Sequence, residues 1–344
     1  MRRLTLYLLL LTQPLFAQKL ARIQLKPDEL RKRVDVLIDG KPFTAYLYPG
    51  PETLKKPVLF PILSAGGNPI TRGWPLEPRP GERVDHPHHV GLWLNYGDAN
   101  GHDFWNNSND IDKSHAGPFG TILHTGVKTM RSGNEAAELV VTADWRDKDN
   151  KTMLRETTTY VFRGKGNERS IDRITTLTAT DGDVLFRDNK EGLIALRVAR
   201  ELEHPSSKAE VFTDANGVAT NVPVLNNAGV TGRYRSSEGV EGDAVWGKRA
   251  KWMDLTGTIN GEQVSVALLD HPQNPGYPAY WHARGYGLYA ANPLAPKVFT
   301  ENKEPAMNLK LAAGQSVTFR YRLVITSGAA ANADRQAQSF GAGR

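Results

Sequence analysis

Apolar and polar residues alternate with a period of two along much of this chain. Over residues 316–326 the run SVTFRYRLVIT places Val317, Phe319, Tyr321, Leu323 and Ile325 on one face and Thr318, Arg320, Arg322 and Thr326 on the other, which predicts a half-buried strand. The runs at 151–162 (KTMLRETTTYVF) and 170–180 (SIDRITTLTAT) are rich in threonine and β-branched residues, whose side chains suit a pleated surface. Asp39-Gly40 and Asn260-Gly261 each separate two apolar runs, and both dipeptides suit two-residue hairpin turns in which both residues take positive φ. A third hairpin is expected to turn through 147–150. Helical periodicity is scarce; PDELRK at 27–32 predicts one short helix, and no repeat of 20–50 residues is evident.

These elements predict an all-β fold: a large two-sheet antiparallel β-sandwich forming a single domain over residues 18–328. Segment 49–119 is long, weakly periodic and rich in Gly, Pro, His and Asn, and unstructured connections of that length inside a domain are usually functional. Residues 329–344 are Ala/Gly/Gln-rich and have little to bury, which predicts a flexible C-terminal tail. At the other end, MRRLTLYLLLLTQPLFA has a basic start, an apolar stretch over 4–11 and a small residue, Ala17, before Gln18. This predicts a signal peptide over residues 1–17 and a periplasmic or secreted protein. The apolar stretch is shorter than the roughly 20 residues a spanning helix needs.

Composition narrows the chemistry. The 344-residue chain has no cysteine, so thiol catalysis, zinc–thiolate sites, iron–sulfur clusters and a lipoprotein anchor are excluded, and stability must come from core burial. The net charge is +6, and loss of Arg2 and Arg3 with the leader lowers it to +4. Basic residues are interspersed with acids, without a block that would track phosphates, so nucleic acid is not an expected partner. Nucleophile-elbow, phosphate-loop, dinucleotide and His-Glu-x-x-His signatures are all missing from the sequence.

Three stretches concentrate reactive side chains. The first, DHPHHVGLWLNYGDANGHDFWN at 85–106, has His86, His88 and His89 around Pro87, then Asp103 and Trp105. In an extended chain His86 and His88 share a face and His89 opposes them. Such a pair can supply two imidazoles to a divalent metal ion. The same imidazoles can transfer protons near neutral pH, or simply bond loop backbone. Trp105 follows a polar segment and is the better placed of the two tryptophans to stack on a ligand, while Trp93 sits in an apolar run. The second stretch, DNKEGLIALRVAR at 188–200, carries Lys190 and Glu191 at a strand start, with Arg197 expected on the same face as Glu191. A carboxylate and a guanidinium together can hold a hydroxylated or anionic substrate. The third, at 270–292, carries Asn274, Trp281, His282 and Arg284 among glycines and prolines. The three stretches are expected to meet at one end of the sandwich.

Four motifs in order, DHPHHVGLW with GHDFW, DNKEGLIALRVA, WGKRAKWMDLTG and DHPQNPGYPAYWHARGYGL, resemble a secreted bacterial family that carries the label methane oxygenase PmoA and is otherwise a domain of unknown function. That label implies a membrane complex with spanning helices, and no apolar run of membrane length follows the leader. The resemblance implies a sandwich similar to the large sandwiches of sugar mutarotases, in the galactose-mutarotase-like class. It also implies pocket roles for His86, His88, His89, Asp103, Trp105, Lys190, Glu191, Arg197, Trp281, His282 and Arg284. Asn189 departs from the small hydroxyl residue expected before Lys-Glu-Gly.

The leading expectation is an exported enzyme acting on a small carbohydrate by acid–base chemistry, as a hydrolase, lyase or epimerase. His86, His88, His89, Asp103 and Glu191 are the catalytic candidates. Trp105, Lys190, Arg197, Trp281, His282, Arg284 and Asn274 are the substrate-binding candidates, and His86 and His88 the metal candidates. The alternatives are a non-catalytic sugar-binding module and a His-ligated metal-dependent oxygenase.

Overall fold

The alternating runs pair into antiparallel ladders. The computed structural model describes residues 22–111, 117–328 and 330–343, so the expected leader lies outside the described residues. In chain order the strands are β1 (Ile23–Asp28), β2 (Arg33–Ile38), β3 (Lys41–Leu47), β4 (Val58–Leu59), β5 (Leu92–Tyr96), β6 (Thr121–Arg131), β7 (Ala137–Arg146), β8 (Thr152–Lys165) and β9 (Glu168–Ala179). They continue as β10 (Val184–Phe186), β11 (Gly192–Arg197), β12 (Arg233–Ser236), β13 (Trp252–Ile259), β14 (Glu262–Asp270), β15 (Tyr280–Arg284), β16 (Leu288–Asn292), β17 (Leu309–Leu311) and β18 (Ser316–Ser327). One eight-stranded sheet has the order β1-β2-β3-β4-β5-β11-β16-β15, and a second has β12-β13-β14-β18-β9-β8-β7-β6. This is the large all-β sandwich expected from the alternation.

Turn chemistry sets the registers. Asp39 and Gly40 take φ of 51° and 78° between paired Ile38 and Lys41. Asn260 and Gly261 take 50° and 81° between Ile259 and Glu262. Positive φ at both positions matches the strand twist, and Asn, Asp and Gly tolerate it. The third hairpin turns through 147–151, with Arg146 opposite Thr152.

The main core fills the space between the sheets. It takes Leu92, Leu94, Ile194, Leu196 and Tyr289 from the first sheet, and Trp145, Tyr160, Leu255, Phe319, Tyr321 and Leu323 from the second. Because side chains alternate across a strand, each sheet also has an outer face, and part of each outer face is covered. Among the described residues the chain has two α-helices, the single-turn α1 (Pro296–Phe299) and the C-terminal α2 (Ala333–Gly341), and on the second sheet Trp252, Ala267, Leu269 and Val324 pack against Ala333 and Phe340 of α2. The C-terminal segment, expected to be a flexible tail, is therefore a docked helix. Asn332 caps it by accepting from the Arg335 amide, and Trp252 Nε1 donates to Asp334 at 2.8 Å. Two buried side chains are too few to register as helical periodicity. The expected helix at 27–32 is corrected in the other direction. Pro27 and Asp28 end β1 and pair with Val34 and Arg33, and Glu29 to Lys32 form the tight turn into β2.

On the first sheet the outer face carries Trp93, Ala195, Leu288 and Ala290. Trp93, Ala195, Ala290 and His282 stand in one cross-strand row, and Arg197, Leu288 and Arg284 in the next. The two alanines leave room for loop side chains, and Trp105 and Tyr286 pack there. Among the described residues no helix is long and apolar enough to cross a membrane.

Candidate functional site

A cavity of 530 Å³ opens over this outer face. It is lined by His86, His88, His89, Trp105, Asn106, Lys190, Glu191, Trp246, His282, Arg284, Tyr286 and Val298. All three reactive stretches contribute. The cavity does not lie at the end of the sandwich, as the sequence suggests, but on the side of the first sheet turned away from the core, roofed by the long connections.

The histidine loop is built around buried arginines. Arg72 is 1% exposed and donates to the carbonyls of Arg83, Asp85, His86 and His89. One side chain thus fixes four carbonyls of a loop that forms no ladder of its own, and such groups must find partners when buried. Lys56 adds a bond of 2.7 Å to the His88 carbonyl. Its burial lowers the Lys56 ammonium pKa to about 7. The Asp85 carboxylate receives Arg72 at 2.5 Å and Arg197 at 2.6 Å on Oδ1, and His86 Nδ1 at 2.8 Å on Oδ2. Burial opposes its ionisation, but the Arg197 and Arg72 charges and the His86 bond outweigh burial, holding Asp85 well below the usual carboxylate range. Behind it, Glu203 accepts from Arg83 and Arg200 at 2.7 Å each, and Arg83 also meets Glu210 at 2.8 Å. Burying this many charges is tolerable only because each is paired.

The three imidazoles converge, so the expectation that His89 opposes the other two is corrected. A turn closed by the His89 amide on the His86 carbonyl, with His86 at φ 46°, breaks the strand alternation. The His86 ring lies parallel between His89 at 4.8 Å and Tyr286 at 5.0 Å, and His88 meets His89 edge-on at 4.3 Å. Burial drives the His88 and His89 pKa values well below the ordinary imidazole value, and neighbouring positive charges add to this. Both rings are therefore neutral near pH 7, and the Nε2 atoms of both are buried without a hydrogen-bond partner. The Asp85 carboxylate can only accept, so His86 Nδ1 donates to it, and in the neutral ring Nε2 is the atom left to accept.

Opposite stand Glu191, Lys190 and His282. Glu191 is 17% exposed on its side chain and pairs with Lys190. Its backbone amide donates to Asn189 Oδ1 at 2.9 Å, so the amide at 189 takes the turn-closing part that a hydroxyl was expected to play. A Cβ added at Gly97 would come within 2.8 Å of Glu191 Cβ, so glycine there allows the glutamate to sit close to β5. His282 Nδ1 donates to the Lys190 carbonyl at 3.2 Å and lies 3.8 Å from Glu191 Oε2. Burial, reinforced by Lys190 and Arg284, lowers the His282 pKa to about 3.

Four expected site residues lie elsewhere. Asp103 accepts from the amides of Trp105 and Asn106 and from the Asn106 side chain, and so shapes the turn that presents both to the cavity. Arg197 is fully buried beneath the histidine loop, against Asp85 and the Tyr286 ring. Trp281 points into the main core because it alternates with His282 along β15, and its Nε1 donates to the Ala250 carbonyl. Asn274 bonds Asp270 and both backbone groups of Arg320, away from the cavity. Four lining residues were not singled out from the sequence: Asn106, Trp246, Tyr286 and Val298. Trp246 opens the third shared motif and Tyr286 lies in the fourth, so the motifs carried a signal that residue type alone did not. For the metal reading, no group of three or more His, Asp or Glu residues among the described residues has metal-holding geometry.

Fold and site together define an all-β sandwich protein with an imidazole-lined cavity on an outer sheet face. The chain belongs to a family of unknown function, DUF6807, whose model matches residues 33–340. No curated protein matches it in sequence. Among solved structures, it is similar to the galactosidase domain of alpha-galactosidase-sucrose kinase AgaSK, with 9% identity and a TM-score of 0.39 over 89% of this chain. That match spans 42% of the length of the galactosidase chain. The Slr1438 protein from Synechocystis sp. PCC 6803 matches with 8% identity and a TM-score of 0.32, covering 92% of this chain and 99% of its own.

Proposed function

We propose that this chain is an exported carbohydrate-active enzyme that moves a proton at a sugar carbon, as a lyase or epimerase does. The observation that carries the reading is the Asp85–His86 pair. An ionised carboxylate locked by two buried guanidiniums fixes the His86 tautomer, and the stacked rings of His89 and Tyr286 fix its plane. An imidazole so held is a prepared general base. Glu191 is the second proton-transfer group and, among the described residues, the sole carboxylate in the lining. Hydrolysis of the common two-carboxylate kind needs a pair of acids flanking the glycosidic bond, and the described residues of the lining do not supply one. The neutral His88 and His89 rings and the buried Trp105 form the floor of the cavity, and the half-buried Trp246 and Asn106 add stacking and amide contacts.

The test is proton exchange. Purified protein is incubated with a panel of mono- and disaccharides, neutral and acidic, in deuterated water and followed by NMR. Deuterium incorporation or product formation is expected with one member of the panel, falling by a factor of about 100 or more in His86→Ala and in Glu191→Gln. Retained turnover in both variants overturns the assignment. Sugar binding with neither exchange nor product would favour the non-catalytic module, for which the aromatic and amide lining speaks.

A further inference from the structure

A second cavity, of 430 Å³, lies beside the first. Its walls include Arg83, His204, Ser207, Lys208, Glu210 and Asp243. It shares Trp246, Arg284 and Tyr286 with the first cavity, so these three side chains form a partition between the two. Most charges around the second cavity are already matched. Glu210 pairs with Arg83. His204 Nε2 accepts from the Tyr234 amide, so its Nδ1 carries a proton and donates to Asp243 at 3.1 Å.

Arg284 is different. It is exposed, its guanidinium lies over the Trp246 ring at 5.6 Å, and among the described residues no carboxylate pairs with it. Lys208, also in the lining, is likewise exposed and without an ion-pair partner among the described residues. An unpaired guanidinium held over an indole is placed to meet a planar anion, because its fork of donors matches the two oxygens of a carboxylate. Its position on the partition makes it reachable from both cavities.

We propose that the second cavity is an accessory saccharide subsite, and that the substrate is an oligosaccharide whose unit at the partition carries a carboxylate, a uronic acid, held by Arg284. The proposal rests on the carbohydrate reading of the first cavity and names its substrate class. One sugar unit occupies the first cavity, the chain crosses at Trp246 and Tyr286, and the next unit enters the second.

Isothermal titration with four probes tests this: glucose, glucuronate, a neutral disaccharide and a uronate-containing disaccharide. The acidic disaccharide is expected to bind about tenfold or more tightly than glucuronate or the neutral disaccharide, the gain typical of a bidentate charge-assisted contact. Arg284→Gln should remove the preference for acid over neutral sugars. Ser207→Trp, which fills the second cavity, should bring the disaccharide-to-monosaccharide affinity ratio toward one, with circular dichroism confirming that both variants are folded. Equal affinity for acidic and neutral probes, or ratios unchanged in both variants, overturns the inference. If monosaccharides bind and length brings no gain, the second subsite fails and the carbohydrate reading of the first stands. If no saccharide binds, that reading fails and takes the subsite with it.

Discussion

Asp270 shows how residue type alone misleads. It stands beside His271 and Asn274 in a stretch that looks reactive, yet it ends β14 and accepts from the Asn274 side chain and the Ala279 amide. Burial pushes its pKa up to about 7, against hydrogen bonds that favour the charged form. A carboxyl whose folded pKa is raised binds its proton more tightly folded than unfolded. Its contribution to stability is therefore full below about pH 4 and is lost as the pH rises through about 7. Urea unfolding of wild type and Asp270→Asn at pH 5 and pH 8 checks this. The drop in stability between the two values should be smaller in the variant, and an equal drop would show that Asp270 does not titrate there. The same lesson covers Arg197. Its spacing from Glu191 suggested a substrate contact, but a loop far away in sequence lies over it, and that loop's path is not encoded in local alternation.

At the scale of elements, the strands and tight turns were legible because they follow from local rules. Asp39-Gly40 and Asn260-Gly261 announce their turns, and the run at 316–326 announces β18. What could not be read was which face of the first sheet would carry the cavity. That depends on the alanines at 195 and 290, which look like any other small strand residues until Trp105 and Tyr286 pack on them. The C-terminal helix was missed for a related reason: α2 takes its place from Trp252, Val324 and the strand Arg322, whose guanidinium lies over Phe340 at 4.7 Å. Phe340→Ala should therefore cost about 3 kcal/mol, the lower end for a buried phenylalanine, measured by urea denaturation. A loss below about 0.5 kcal/mol, the size of an ordinary surface change, would mean the helix is a passive appendage.

For the whole molecule, the shared core makes the two sheets one thermodynamic body. Side chains from both sheets interleave without a boundary, and neither sheet buries its inner face alone. Calorimetry should give a single unfolding transition, and Leu196→Ala in the first sheet and Leu323→Ala in the second should each lower that one midpoint. Two resolved transitions, each moved by one variant alone, would show that the sheets melt separately.

The single guanidinium of Arg72, gripping four carbonyls at once, has a bearing on how a ligand would be met. A segment anchored in that way has little slack to give up, so a guest arriving at the imidazoles would find its seat already set. The amides of Asp85, His86, His88 and His89 should thus trade hydrogen for deuterium as slowly in the empty protein as in the filled one. The ordering that many enzymes obtain from a closing lid would here be complete when the chain leaves the folding pathway.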